Sequence, residues 1–349
     1  MAYLTPNESG KKIKAGSYER LYLLYGKDTG ALEPFAKKLA AKLCPPEAEV
    51  MNLHSFDARE LDAMALEEAM QVLPMFAERV VVRLTGLDME QLGKSQGDVL
   101  RKIIADIPDT TVFIIEAGGE KQYKNRKSLT DKNKRFFDNC AKYGDVIEFS
   151  FKTVSETARS IVTACEKRGS HINKQNAEYL AQICLCETAH VNKELDKLAA
   201  YAYGKEITRE AIDALCIKKI ETDGFSLAKN ILAGNALFVF QRLGELKSQN
   251  YESTQVLAII GMSLTDIYRA RLCRSSGRTW QDCAEDFGYP KNRDFAVRNA
   301  YNDCMSVNLS RLRHTIVLLS DLELKLKTVS MTEHAKFLAV EQFAANAMA

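Results

Sequence analysis

The sequence predicts an α/β domain on a mainly parallel sheet, followed by all-helical domains. Three observations predict it. Over residues 1–150, short apolar runs rich in β-branched and aromatic residues alternate with stretches of helical periodicity. After Phe151 the strand pattern disappears. From there Thr153-Val154-Ser155-Glu156, a capping-box sequence, opens a long series of helical repeats.

In chain order, residues 1–17 are polar and contain Gly and Lys, which suits a tail or a short leading helix. Arg20-Leu21-Tyr22-Leu23-Leu24-Tyr25 reads as a buried strand running into Gly26. A helix is expected over 31–43, closed by Cys44-Pro45-Pro46, and a second strand at Val50-Met51-Asn52-Leu53. Further helices are expected over 98–107 and 132–143, the latter stopped by Gly144, with strands at 80–84, 110–116 and 146–149. Beyond Thr153, helices are expected near 153–169, 174–186, 190–203 and 208–217. Gly224 reads as a boundary before helices near 226–232, 237–248, 254–274, 280–287, 294–304, 306–328 and 331–345. The division expected is therefore 1–150, 151–222 and 223–349.

The most informative stretch joins two of these elements. Leu61, Ala65, Ala69 and Leu73 recur every four residues, with Leu66 and Val72 widening the stripe, so a buried helical face is expected. Pro74 cannot continue that helix and pushes Leu73 towards an extended conformation. The β-branched run Val80-Val81-Val82-Arg83-Leu84 follows. Met75 and Phe76 fall in the joint between, where chain normally runs on the surface. Two readings stand. Pattern alone favours a local cap, with Phe76 folded back on its own helix. The other is an apolar knob offered to a partner's pocket.

At 349 residues the chain is long enough for two or three domains with real cores. A hydrophobic fraction of 46% and a charged fraction of 27% are ordinary for a globular protein. The net charge of +2 offers no global field towards nucleic acid or membrane, so any DNA contact must be local or shared. The nine cysteines are an odd number and form no C-x-x-C pair; Cys184 and Cys186, two apart on an expected helix, point their thiols apart. Reduced, buried thiols in a cytoplasmic protein fit best. No apolar run reaches membrane-span or signal-peptide length.

A strand ending in glycine at the start of a parallel sheet invites a test for phosphate binding. The pattern G-x-x-x-x-G-K-[ST] needs glycine, lysine and a hydroxyl where Gly26 would place Ala31, Leu32 and Glu33. With Gly30 as the second glycine, the lysine and hydroxyl places hold Ala31 and Leu32. A carboxylate would repel phosphate, Lys27 alone reads as a solvated charge, and the strand at 80–84 lacks an acidic pair for Mg²⁺. The shape suits a nucleotide; the chemistry is missing. The five histidines are dispersed with no H-x-x-x-H pair, no G-x-S-x-G elbow occurs, and no carboxylate pair stands out. Neither a catalytic site, a metal nor a cofactor is expected.

Between 121 and 135 lie Lys121, Lys124, Arg126, Lys127, Lys132, Lys134 and Arg135, with Tyr123 among them. One aromatic and an interrupting acid, Asp131, favour a solvated loop. Salt-sensitive, sequence-blind contact with DNA phosphates through Lys121, Lys124, Arg126 and Lys127 is the alternative.

In this order, the pieces resemble the delta subunit family of the bacterial DNA polymerase III clamp loader. The resemblance is carried by Leu21-Tyr22-Leu23-Leu24-Tyr25-Gly26-Lys27-Asp28, by Phe56-Asp57 with Glu60-Leu61, by Leu73-Pro74-Met75-Phe76-Ala77-Glu78-Arg79, and by Asn192-Lys193-Glu194-Leu195-Asp196-Lys197-Leu198-Ala199. It spans nearly the whole chain, although the C-terminal third has a fitting helical pattern and no diagnostic motif. The resemblance implies a RecA-like, AAA+-type domain over 1–150, a helical lid over 151–222 and an oligomerising helical collar over 223–349. It implies a subunit that hydrolyses no ATP, grips the sliding clamp (beta) and opens that ring for loading onto primed DNA. Delta-prime and gamma/tau subunits are the implied partners, within a DNA-directed DNA polymerase holoenzyme in the cytoplasm. The family's apolar pair falls on Met75 and Phe76, with Leu73 before them; Met stands where Leu is frequent and keeps the volume.

Three rivals differ in kind. An active AAA+ ATPase would turn over nucleotide. A stand-alone DNA-binding protein would use the basic 121–135 segment and the C-terminal helices. A sister loader subunit would bring metal-ligand cysteines and an arginine finger, neither of which can be placed in this sequence.

Overall fold

The structure, a computed structural model, describes residues 2–124, 128–216 and 220–349, and of Ala2, 220–223 and Asn292 the main chain only. The chain divides into two compact units, Met1–Phe151 and Lys152–Ala349.

In the first unit the elements are β1 (Ala2–Leu4), α1 (Pro6–Lys14), β2 (Leu21–Gly26), α2 (Thr29–Leu43), α3 (Glu49–Asn52), β3 (Leu53–Asp57), α4 (Ala63–Met70), β4 (Val80–Thr85), α5 (Lys94–Ala105), β5 (Thr111–Gly118), β6 (Tyr123–Lys124), β7 (Ser128–Leu129), α6 (Asp131–Cys140) and β8 (Asp145–Glu148). Six strands form one parallel sheet in the order β1-β8-β2-β5-β4-β3, while β6 and β7 make a small antiparallel ladder. Period-two alternation divides the strand side chains between two faces. Leu21, Leu23 and Tyr25 pack with Leu66 and Met70 of α4, Leu100 and Ile104 of α5, and Phe136 and Phe137 of α6. Tyr22 and Leu24 pack the other way, with Ile13 of α1 and Leu32 and Leu39 of α2. The result is a three-layer α/β unit. Each fully buried Leu or Phe contributes about 1.5–3 kcal/mol.

Four expectations change. Residues 1–17 hold a three-residue edge strand before α1, whose start Thr5 and Glu8 secure with a capping box. The strand expected at 50–53 is the short helix α3, and the strand itself is β3, four residues later at its end. The sheet therefore has six strands, one more than the sequence patterns show. Helix α4 begins beyond its N-cap Asp62 and ends at Met70, so Leu73 lies outside the helix and its apparent place in a buried stripe is accidental.

The second unit is helical throughout: α7 (Val154–Glu166), α8 (Lys174–Ile183), α9 (Thr188–Ala202), α10 (Arg209–Leu215), α11 (Ile220–Ala233), α12 (Ala236–Ser248), α13 (Ser253–Ser275), α14 (Trp280–Phe287), α15 (Asp294–Asp303), α16 (Leu309–Thr328) and α17 (Glu333–Met348). Thr153 and Glu156 form the reciprocal cap at the head of α7, with bonds of 2.9 and 3.3 Å. Helices α7 to α10 enclose one apolar cluster, from Ala158 to Cys216; α11, α12, α13, α15, α16 and α17 enclose another, from Leu227 to Ala347, and α14 packs Cys283 and Ala284 with Cys273 and Val297 in a small third. Gly224 stands inside α11, where an added Cβ would come 2.8 Å from the Ile259 carbonyl of α13. Its absent side chain lets the two helices cross closely. All nine cysteines are buried and free. Cys184 and Cys186 lie just past the end of α8, where Leu185 and Cys186 take left-handed backbone angles, not on a continuous helix.

Candidate docking site

The joint between α4 and β4 is built from both ends inward. Asp62 caps α4 by accepting from the Met64 and Ala65 N–H groups, and the Gln71 N–H closes its last turn on the Ala69 and Glu68 carbonyls. Val72 then tucks against the apolar cluster on one face of the sheet. Ala77 packs against the cluster on the opposite face, and the Arg79 guanidinium lies over the Tyr18 ring at 5.7 Å. The chain between these anchors crosses the amino edge of the sheet. There Leu73 is 75%, Met75 50% and Phe76 88% exposed. Phe76 also has φ of +60°, a left-handed angle uncommon for an aromatic residue. A Phe folded back on its helix would be buried, so the local-cap reading does not describe this loop.

One residue that sequence reasoning missed holds the tip. The buried side chain of Asn52, at the end of α3, donates to the Met75 carbonyl at 2.6 Å and accepts from the Met75 N–H at 2.8 Å. It also donates to the Ala48 carbonyl at 2.9 Å. Val50 and Met51, immediately before it, are exposed.

The turn where a phosphate would sit lies at the carboxyl edge. Only Lys27 and Asp28 separate β2 from α2, and four backbone donors of this turn and the first turn of α2 are engaged by the protein's own carbonyls. The Asp28 N–H bonds the Phe149 carbonyl at 2.9 Å, the Thr29 N–H that of Lys27 at 3.0 Å, and the Ala31 and Leu32 N–H groups that of Asp28 at 3.1 Å. Gly26 has φ of +134°, and a Cβ there would come 2.3 Å from the Phe149 oxygen. The Lys27 ammonium stacks over Tyr123, 4.9 Å from the ring centre. Alongside is a cavity of about 270 Å³ lined by Glu33, Lys37, Arg83 and Glu116. The Arg83 guanidinium meets the Glu116 carboxylate at 2.5 Å, both side chains largely buried. Burial pushes the Glu116 carboxyl up, against the opposing pull of Arg83. Acids beside the cavity, donors turned inward and a two-residue turn make a poor cradle for a triphosphate. Among the described residues no group of three or more His, Cys, Asp or Glu is placed to hold a metal ion.

Of the basic segment, Lys121 and Lys124 are exposed, on the chain leaving β5 at that same carboxyl edge. Gln122, buried between them, anchors the segment by donating to the Leu87 carbonyl at 2.6 Å. Lys132 pairs with Glu90 at 3.4 Å. Arg126 and Lys127 lie outside the described residues. The two sets of candidate residues are thus not brought together: Leu73, Met75 and Phe76 share the amino-edge loop, and the lysines lie at the other edge.

Comparison with known proteins follows the same outline. Residues 22–140 match the family model described as DNA polymerase III, delta subunit, and residues 221–346 match the C-terminal domain of that subunit. The DNA polymerase III subunit delta of Bacillus subtilis (strain 168) is 25% identical over 327 residues, covering 91% of this chain and 90% of that protein. The solved Bacillus subtilis DNA clamp loader delta protein superposes with a TM-score of 0.64 at 20% identity, covering 99% of each chain. The fold is thus shared with that protein: a parallel-sheet α/β unit followed by an all-helical unit. No helix among the described residues is long and apolar enough to cross a membrane.

Proposed function

The chain belongs to the DNA polymerase III delta subunit family, and from that premise we propose that it grips a sliding clamp through Leu73, Met75 and Phe76 and opens the ring without hydrolysing ATP. The observation that carries this is the exposure of three large apolar side chains on a loop whose main chain is tied down. Exposed apolar clusters on otherwise polar surfaces mark interaction sites. Burying Met75 and Phe76 in a partner's pocket supplies about 1.5–3 kcal/mol each, the scale of interface hot spots. Opening a closed ring then requires only that the subunit bind the open form better than the closed one.

The absence of ATP turnover is supported by the short β2–α2 turn, its engaged donors and the acids at positions 33 and 116. Exposed Lys121 and Lys124, with Arg126 and Lys127, are proposed to touch the phosphates of primed DNA inside the assembled loader. The delta-prime and gamma/tau subunits are the proposed partners of residues 223–349 as a collar, with 151–222 as a lid, in the cytoplasm.

The test is titration of the sliding clamp with the wild type and with Phe76→Ala, alongside an ATPase assay and melting with ATP and Mg²⁺. Phe76→Ala is expected to weaken binding more than tenfold at unchanged melting temperature. ATP is expected to produce neither turnover nor a shift. Equal binding by both proteins would refute the docking role; turnover would favour an active ATPase. Tight, sequence-specific DNA binding by the isolated chain would favour a DNA-binding protein.

A further inference from the structure

A buried asparagine is costly unless its amide is fully used, and Asn52 uses its amide on another segment's main chain. Its donor group serves two carbonyls, of Ala48 at 2.9 Å and Met75 at 2.6 Å, and its oxygen takes the Met75 N–H at 2.8 Å. Only this amide orientation works, because the reverse would set the oxygen against two carbonyls. Asn52 therefore does for Met75 what a neighbouring strand would do, in a loop that lies outside the sheet. Ala48, the third partner, is itself packed in the core, so the brace runs from the core to the loop tip.

We propose that Asn52 is a positioning residue for clamp docking: its buried side-chain amide locks the main chain of Met75, so that Met75 and Phe76 are presented in one pre-organised arrangement. The inference rests on the docking role proposed above and concerns how that loop is made competent. The residue after Met75 shows why a lock is needed. Phe76 holds a left-handed backbone angle of +60°, which persists only where the surroundings over-determine it. The amide chemistry is specific. Aspartate offers no donor to the two carbonyls, and alanine offers nothing. Without the lock the loop samples other conformations, and apparent affinity falls in proportion to the competent fraction.

The experiment is a double-mutant cycle read as affinity for the sliding clamp, with amide hydrogen exchange at Met75. In the wild type the Met75 amide is expected to exchange slowly although its side chain is exposed, a readout that needs no variant. Asn52→Ala and Asn52→Asp are each expected to weaken clamp binding about tenfold, as a drop of the competent fraction to about one tenth would produce. On the Met75→Ala/Phe76→Ala background the same substitutions are expected to cost nothing further, because the lock acts through the two side chains it presents. Losses that multiply, an undiminished affinity, or fast exchange at Met75 in the wild type would each overturn the inference and leave the docking role standing. If Phe76→Ala binds like the wild type, the docking role fails first, and the inference falls with it.

Discussion

Two turns on opposite edges of one sheet were given opposite treatments. At the carboxyl edge, the β2–α2 turn turns its N–H groups onto its own chain, backs Gly26 against Phe149 and sets an Arg83–Glu116 ion pair beside it. At the amino edge, the 71–79 loop has its main chain braced by Asn52 and its large side chains left in solvent. Ligands of open α/β sheets ordinarily collect at the carboxyl edge. In this chain the turn at that edge has four of its backbone donors engaged, and the exposed apolar surface appears at the other. The contrast teaches that capacity to bind follows whichever groups a turn leaves unsatisfied: polar main chain for small anions, apolar side chains for a protein.

The comparison can be broken from either side. The largest effect expected is in Met75→Ala/Phe76→Ala, which should weaken clamp binding on the order of hundredfold or more if each side chain contributes about 1.5–3 kcal/mol. Its melting temperature should barely move, since substitutions at exposed positions usually stay within about 0.5 kcal/mol. A large drop in melting temperature would mean the loop is structural after all.

At the carboxyl edge, Arg83→Met should destabilise by about 3–5 kcal/mol, because it strands a buried carboxylate. Chemical denaturation at several pH values checks the sign. Burial already raises the Glu116 carboxyl in the folded state, and removing Arg83 raises it further. A carboxyl raised on folding costs nothing while both states are protonated and its full penalty once both are ionised. The deficit should therefore grow as pH rises through and above the carboxylate range. Arg83→Met/Glu116→Met should recover most of the loss. A deficit that shrinks with rising pH would show that Glu116 is not the stranded group.

Gly26→Ala should cost about 1–3 kcal/mol, from a left-handed angle and a clash with the Phe149 carbonyl, without creating ATP affinity. Urea unfolding and melting with ATP read both; a tolerated alanine would mean the turn is loosely closed. The smallest effect belongs to Lys121→Ala and Lys124→Ala. Each should lower the salt slope of primed-DNA binding by the assembled loader by about one. An unchanged slope would leave these lysines as solvated charges.

Which parts of this could be read from sequence follows from where each segment lies. Strands β2, β4 and β5 are covered on both faces, so their residues form continuous apolar runs that announce themselves. Edge strands lack that signal: β1 has three residues, and β3 carries His54 and Asp57 at half-buried positions and Ser55 in solvent. Val50 and Met51 resembled a strand because they are apolar, yet they are exposed on α3. Leu73 fell into register with a buried stripe by coincidence of spacing. Met75 and Phe76 were legible as an anomaly, two large apolar residues after a proline. Asn52 was not, because its partner lies 23 residues away and side-chain-to-main-chain bonds leave no periodic trace. Arg83 and Glu116, 33 residues apart on neighbouring strands, were hidden for the same reason.

Hydrogen exchange across the chain with and without a sliding clamp tests both edges at once. Slowed exchange confined to the 73–79 stretch, with no change at 26–32, is the predicted result. Clamp-induced protection at the carboxyl edge, with 73–79 exchanging as in the free protein, would contradict it.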